Sequence, residues 1–300
     1  MADLSPIALF VYNRPKHTRE TVEALLKNAE AENSDLLIFS DAAKHEGAHA
    51  AVNEVREYIR QIAGFKTVTI VEREKNWGLA NSVIDGVTRL CNEHGSVIVL
   101  EDDLRVSPHF LAYMNAGLQR YQNNENVMQI AGYMFPAKLE LEDDAFFLPF
   151  ISSWGWATWS RAWDKFDPSA SNFSLLKNDK KKIKEFNLGG KYDYFRMLKS
   201  QQDGKTNSWA IRWYLSVFYL KGLTLYPKKN LVENLGFDGT GENCIVSGIE
   251  TSELDINFRV QNLPSSVAIT SYLNDVLDVL PKPRPKIELI FSYLRRILTN

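Results

Sequence analysis

Val97-Ile98-Val99-Leu100-Glu101-Asp102-Asp103-Leu104 runs four apolar residues straight into three carboxylates. A short continuous apolar run reads as a strand buried on both faces, the form strands take inside a parallel sheet. In open parallel sheets ligands bind outside the carboxyl ends of the strands, so the acidic triplet stands where substrate chemistry occurs. If the chain stays extended, Glu101 and Asp103 face one way and Asp102 the other. Two carboxylates about 4 Å apart repel by roughly 4 kcal/mol at an effective dielectric near 20, which calls for a cation. A divalent metal held by one or two carboxylates and shared with phosphate oxygens is one answer. The other is that the acids cap the next element or pair with Arg105.

Outward from this strand, β-branched runs alternate with helical periodicity. Residues 7–12, 36–40, 67–72 and 96–100 read as strands; 18–28, 48–63 and 79–93 read as the helices between them. A further helix over 108–122 and strand over 127–132 extend the same sheet. The pattern predicts an α/β fold with a Rossmann-like, mostly parallel sheet flanked by helices. Each strand end carries polar groups: Asn13 and Arg14 after the first, Asp41 after the second, Arg73 to Asn81 after the third. Arg14 also fits a surface ion pair, and Asp41 a helix or turn cap. After Pro136 the chain becomes aromatic and less regular, with no Pro/Ser linker to set off an independent domain.

Composition excludes several classes. With 45% hydrophobic residues, the 300-residue chain can bury a full core, and 35 basic against 37 acidic residues give no overall footprint for nucleic acid. There is no GxGxxG turn, no GxxxxGK[ST] loop and no Cys/His cluster for zinc. Cys91 falls in an apolar helix and Cys244 in a glycine-rich loop, a reduced-compartment pattern. The N-terminal apolar run lacks a basic leader, and the apolar stretch 209–226, broken by Arg212 and Lys221, reads as a buried helix followed by a strand. A cytoplasmic location is expected. Residues 281–300 form a basic amphipathic tail, suited either to an anionic membrane surface at the inner face or to docking on its own domain.

The segments 11–15 (VYNRP), 39–41 (FSD), 75–81 (KNWGLAN) and 99–104 (VLEDDL), in that order, resemble GT-A glycosyltransferases. The chain is most similar to the family of the animal N-acetylglucosaminyltransferase that initiates complex N-glycans, and to bacterial polysaccharide transferases like it. The resemblance covers about residues 6–245 and implies one GT-A domain over 1–280, with a nucleotide-binding half at 1–135 and an acceptor-side half at 136–280. It implies transfer of a sugar from a nucleotide diphosphate, a UDP-sugar, to a saccharide or lipid-linked saccharide acceptor, with Mn2+ or Mg2+ as cofactor. Glu101-Asp102-Asp103 is similar to the family's form of the DxD motif. Position by position, Asp103 is then the metal ligand, and Glu101 and Asp102 contact ribose, donor sugar or metal-bound water. Arg14 and Asp41 lie at the nucleotide, Asp41 toward the base, while Asn76, Gly78 and Asn81 shape the donor pocket. In the stretch Trp154-Gly155-Trp156 the resemblance puts Trp156 below the sugar.

One part of the family pattern is missing. The acceptor-activating carboxylate of a Trp-Asp-Asp-Trp segment is replaced here by Trp209-Ala210-Ile211-Arg212. Asp203, Glu233 and Asp238 are candidate replacements, with Asp203 chosen because it directly precedes that helix; Arg212 could instead meet phosphate charge. Stereochemistry stays open. Gly236 to Asn243 reads as a loop with enough glycine to close over a donor, or as a plain surface connection. Two other functions compete: a noncatalytic nucleotide-sugar or carbohydrate-binding relative, and a sugar nucleotidyltransferase. The second needs a glycine-rich basic loop where this chain has Asn13-Arg14-Pro15.

Overall fold

The computed structural model describes residues 4–238 and 252–280. The strands are β1 (Ile7–Val11), β2 (Asp35–Ser40), β3 (Thr67–Glu72), β4 (Ser96–Glu101), β5 (Leu104–Val106), β6 (Val127–Ala131), β7 (Ala145–Leu148), β8 (Trp156–Trp159), β9 (Leu223–Pro227) and β10 (Val232–Asn234). The helices are α1 (Pro15–Leu25), α2 (His49–Ile59), α3 (Leu79–His94), α4 (Phe110–Arg120), α5 (Ser160–Trp163), α6 (Phe173–Leu176), α7 (Lys180–Phe186), α8 (Tyr194–Gln202), α9 (Trp209–Tyr219) and α10 (Leu273–Asp278).

Eight of these strands form one sheet in the order β3-β2-β1-β4-β8-β6-β9-β7. The first four are mutually parallel, as the alternation of strand and helix predicts. β1 is buried at every position and lies between β2 and β4, whereas β3 is an edge strand with alternating exposure. The expected strand at 127–132 does join this sheet, but not beside β4. The aromatic strand β8 intervenes, antiparallel to both β4 and β6, so one sheet runs through both halves of the chain. The stretch 209–226 forms α9 and then β9, as expected. Among the described residues no helix is long and apolar enough to cross a membrane. Cys244 and the tail 281–300 lie outside the described residues.

Local sequence explains how the helices meet the sheet. α1 begins at Pro15, whose fixed φ and missing N–H suit the first helical position. α3 ends on Gly95 in the left-handed conformation, a common helix stop. In the middle of α3, Gly86 lets the helix lie directly on Phe10 and Phe39, which stack at 5.0 Å between centroids. A Cβ at Gly86 would stand 2.8 Å from the Phe10 ring. The parallel half is thereby packed tightly enough to hold the ends of β1, β2 and β4 in fixed register, with Val11 opposite Ser40 and Phe10 opposite Glu101.

Candidate active site

Two clusters occupy these adjacent strand ends. The first is the acidic triplet. Glu101 is the last residue of β4, and Asp102 and Asp103 form the turn into β5, both buried. Arg14, between β1 and α1, reaches over them: Nη1 donates to Asp103 Oδ2 at 2.9 Å, and Nη2 donates to Asp102 Oδ1. Arg105 instead pairs with Glu233 across the small β5–β10 sheet, which rules out its pairing with the triplet. One oxygen on each aspartate, Asp102 Oδ2 and Asp103 Oδ1, is buried without a hydrogen-bond partner. Leaving such an atom unmatched costs about 1–3 kcal/mol or more when charged, so the pair favours a cation.

Burial sets the electrostatics. It pushes Glu101 up to about 8, reinforced by Asp103 and Asp102 and opposed by Arg14 and a Trp209 hydrogen bond. Burial likewise raises Asp102 despite the Arg14 charge beside it. For Arg14 burial disfavours the charge, but Asp102 and Asp103 more than offset it and hold the guanidinium protonated. The backbone of the triplet is fixed from two sides, since Thr21 Oγ1 donates to Asp102 O at 2.9 Å and Leu235 N donates to Asp103 O at 2.8 Å.

Leu235 follows β10, and the next residue is pressed against the site. A Cβ on Gly236 would stand 2.2 Å from Asp103 Oδ2. Only the missing side chain permits that approach. Two residues on, Asp238 meets His17 of α1, with Oδ2 3.2 Å from Nε2. Trp154 is half-buried, 5.5 Å from the Phe237 ring and 4.5 Å from Tyr133. In the sequence Gly236 reads only as the start of a glycine-rich loop and Trp154 only as part of an aromatic stretch, and His17 carries no signal. The folding-back of β10 onto β5, which brings Gly236 to the triplet and Asp238 to α1, leaves no local motif.

The second cluster surrounds Asp41. Its Oδ1 accepts from Ala42 N at 2.9 Å and Trp77 N at 2.8 Å, and its Oδ2 from Gly78 N at 2.8 Å. Asn76 Nδ2 donates to Ala42 O at 2.7 Å, and Asn81 Nδ2 to Trp77 O at 2.8 Å. Arg73 lies 3.9 Å from the Trp77 ring centre and pairs with Asp85. Gly78 has φ 72° and ψ 154°, a conformation essentially confined to glycine, and the space where a side chain would stand is open. Asn76 and Gly78 are thus tied to Ala42 and Asp41, and Asn81 to Trp77, with the Asp41 carboxylate bonded to the backbone of the turn into α3.

Other expected residues fall elsewhere. Trp156 is 1% exposed, a core residue stacked on Trp209 at 4.9 Å and beside Trp163. That burial removes it from contact with a sugar, and Trp154 is the aromatic of the segment left partly open. Asp203 caps the end of α8, where Lys199 and Lys205 bind its carboxylate and hold its pKa below the usual range. A carboxylate so held is a poor proton acceptor. Arg212 turns all three of its nitrogens to local partners, Nε donating to Ser208 O, Nη1 to Pro168 O and Nη2 to Asn207 Oδ1, a structural role. A separate open cleft of about 590 Å³, lined by Asp144, Lys229, Asp255 and Arg259, shares no residue with either cluster.

Compared with known proteins, residues 1–173 match the family described as the GNT-I family, more than half of the chain. The chain belongs to the GNT-I family. The expected resemblance to that family stands with the match. No curated protein matches the sequence. Among solved structures the chain is similar to GalNAc-T7 with UDP, GalNAc and Mn2+, at 10% identity and TM-score 0.45, covering 76% of this chain and 43% of that one. It is also similar to TarS of S. aureus, at 13% identity and TM-score 0.39, covering 76% of this chain and 36% of that one. A third is the mannosyltransferase PcManGT of Pyrobaculum calidifontis in complex with GDP-Man and Mn2+, at 12% identity and TM-score 0.36, covering 73% and 72%. The chain therefore spans less than half the length of the first two structures it matches.

The donor set of the triplet fits a metal of one kind. Among the described residues no three His, Cys, Asp or Glu side chains converge into an all-protein cage. The two unmatched aspartate oxygens offer hard ligands without completing a shell. That suits Mg2+ or Mn2+, which keep positions for water and phosphate, better than zinc or calcium.

Proposed function

We propose that the protein transfers a sugar from a nucleoside diphosphate sugar, a UDP-sugar, to a saccharide or lipid-linked saccharide hydroxyl in bacterial surface polysaccharide or glycolipid synthesis. The observation that carries the reading is the pair of unmatched buried oxygens on Asp102 and Asp103 beside Arg14, at the strand ends of a GNT-I family chain. Asp103 would hold Mn2+ or Mg2+, whose chemistry is to neutralise the charge developing on the departing diphosphate. Arg14 binds the same phosphates, Glu101 and Asp102 orient ribose or sugar, and the loop anchored by Asp41 walls the nucleotide. Trp154 offers an apolar face to a pyranose ring.

For the acceptor proton the reading turns from Asp203 to Asp238. Asp238 lies two residues from Gly236, which abuts Asp103, and meets His17 of α1, whereas the Asp203 carboxylate is bound by two lysines. Peripheral membrane contact through residues 281–300 at a cytoplasmic face belongs to the same reading, and follows from the tail's basic amphipathic sequence alone. The test is UDP release from a panel of UDP-sugars with Mn2+ and with EDTA. Release that stops in EDTA and returns with Mn2+ supports the proposal; equal release in both contradicts it.

A further inference from the structure

Arg14 and a divalent cation draw on the same two carboxylates. The guanidinium is a planar fork, and here its two arms are split between different aspartates, one oxygen of each. Its side chain is 17% exposed, and those of Asp102 and Asp103 are 5% and 7% exposed, so water screens the three charges poorly. Gly236 lies directly against Asp103 Oδ2, the oxygen that Arg14 holds. A dication at the unmatched oxygens would therefore meet a fixed positive charge already balanced by the anions it needs.

We propose that Arg14 is the built-in counter-cation of the acidic pair, and that it makes metal and nucleotide binding mutually dependent. While Arg14 lies on the aspartates, the metal alone binds weakly. A diphosphate gives the guanidinium another bidentate anion and lets it leave the carboxylates to the metal. By linkage, each ligand then tightens the other by the same factor. The metal's own bond to phosphate adds to this coupling in any variant; the part due to Arg14 is the difference between wild type and a neutral substitution. This inference rests on the metal-dependent reading above.

The experiment is calorimetry of Mn2+ on the full chain, alone and in the presence of UDP, for wild type, Arg14→Gln and Arg14→Lys. Arg14→Gln is expected to bind Mn2+ alone about tenfold more tightly than wild type, about 1.4 kcal/mol. Its gain in Mn2+ affinity on adding UDP should be smaller than that of wild type by about the same factor. Arg14→Lys, which keeps the charge but can meet only one carboxylate well, should shift in the same direction by about threefold, and decides the matter if Arg14→Gln does not fold. Equal or weaker Mn2+ binding by the variants that fold overturns the inference and makes Arg14 a support for the metal ligands. No Mn2+ binding by wild type, with or without UDP, instead overturns the metal-dependent reading itself.

Discussion

Asp41 and Asp103 occupy matching places, each just past the end of a parallel strand and each nearly sealed from solvent, at 6% and 5% exposure. Their partners differ. Asp41 accepts from three backbone N–H groups of its own fold and has both oxygens engaged. Asp103 shares one oxygen with Arg14 and keeps the other unmatched. Burial and strand-end position therefore do not tell the two acids apart; the satisfaction of each lone pair does. In the proposed function the first carboxylate holds a loop beside the nucleotide, and the second is the one that would meet the metal.

The difference can be broken by substitutions of equal size. The largest effect is expected at Asp103, where Asn keeps the shape and removes a charge several kcal/mol of metal-assisted stabilisation depends on, so transfer should fall by about 10³-fold with the melting temperature held or raised. A variant retaining more than a tenth of wild-type rate in a direct transfer assay would contradict that role. Next comes the acceptor base. Asp238→Asn should lower transfer by about 10²-fold with donor affinity kept, as for a group used in the transition state, while Asp203→Asn stays within about twofold of wild type. The reverse ranking would return the base to Asp203. The smallest catalytic effect is expected at Asp41: Asn there should cost about 2 kcal/mol in chemical denaturation, because charge-assisted bonds to the Trp77–Gly78 backbone are weakened, with only a few-fold loss of turnover. If stability is unchanged while nucleotide affinity collapses, Asp41 touches the base and the anchoring role is wrong.

The parallel half was legible because its information is local. β1, β2 and β4 hold continuous apolar runs and β3 a β-branched one, the helices between them carry a 3.6-residue period, and the acids of the triplet directly follow Leu100. The site-building residues beyond it were hidden because their contacts are long-range. Gly236 and Asp103 are distant in the chain and meet only through the β5–β10 pairing. Trp154, Trp156 and Trp159 share one aromatic segment, and composition cannot tell which ring points out; strand β8 buries Trp156 and Trp159 between helix and sheet. Asp203 illustrates the opposite error. Its place before the helix that replaces the family's acidic segment was suggestive, but Lys199 and Lys205 sit one turn and two residues away and take its charge.

The central claim, that the Asp103 end binds the metal with the nucleotide and the Asp41 end only walls the pocket, is tested most directly by calorimetry of UDP with and without Mn2+. Wild type and Asp41→Asn should both bind UDP at least tenfold more tightly when Mn2+ is present, whereas Asp103→Asn should show no Mn2+ effect. An undiminished Mn2+ effect in folded Asp103→Asn would contradict the account.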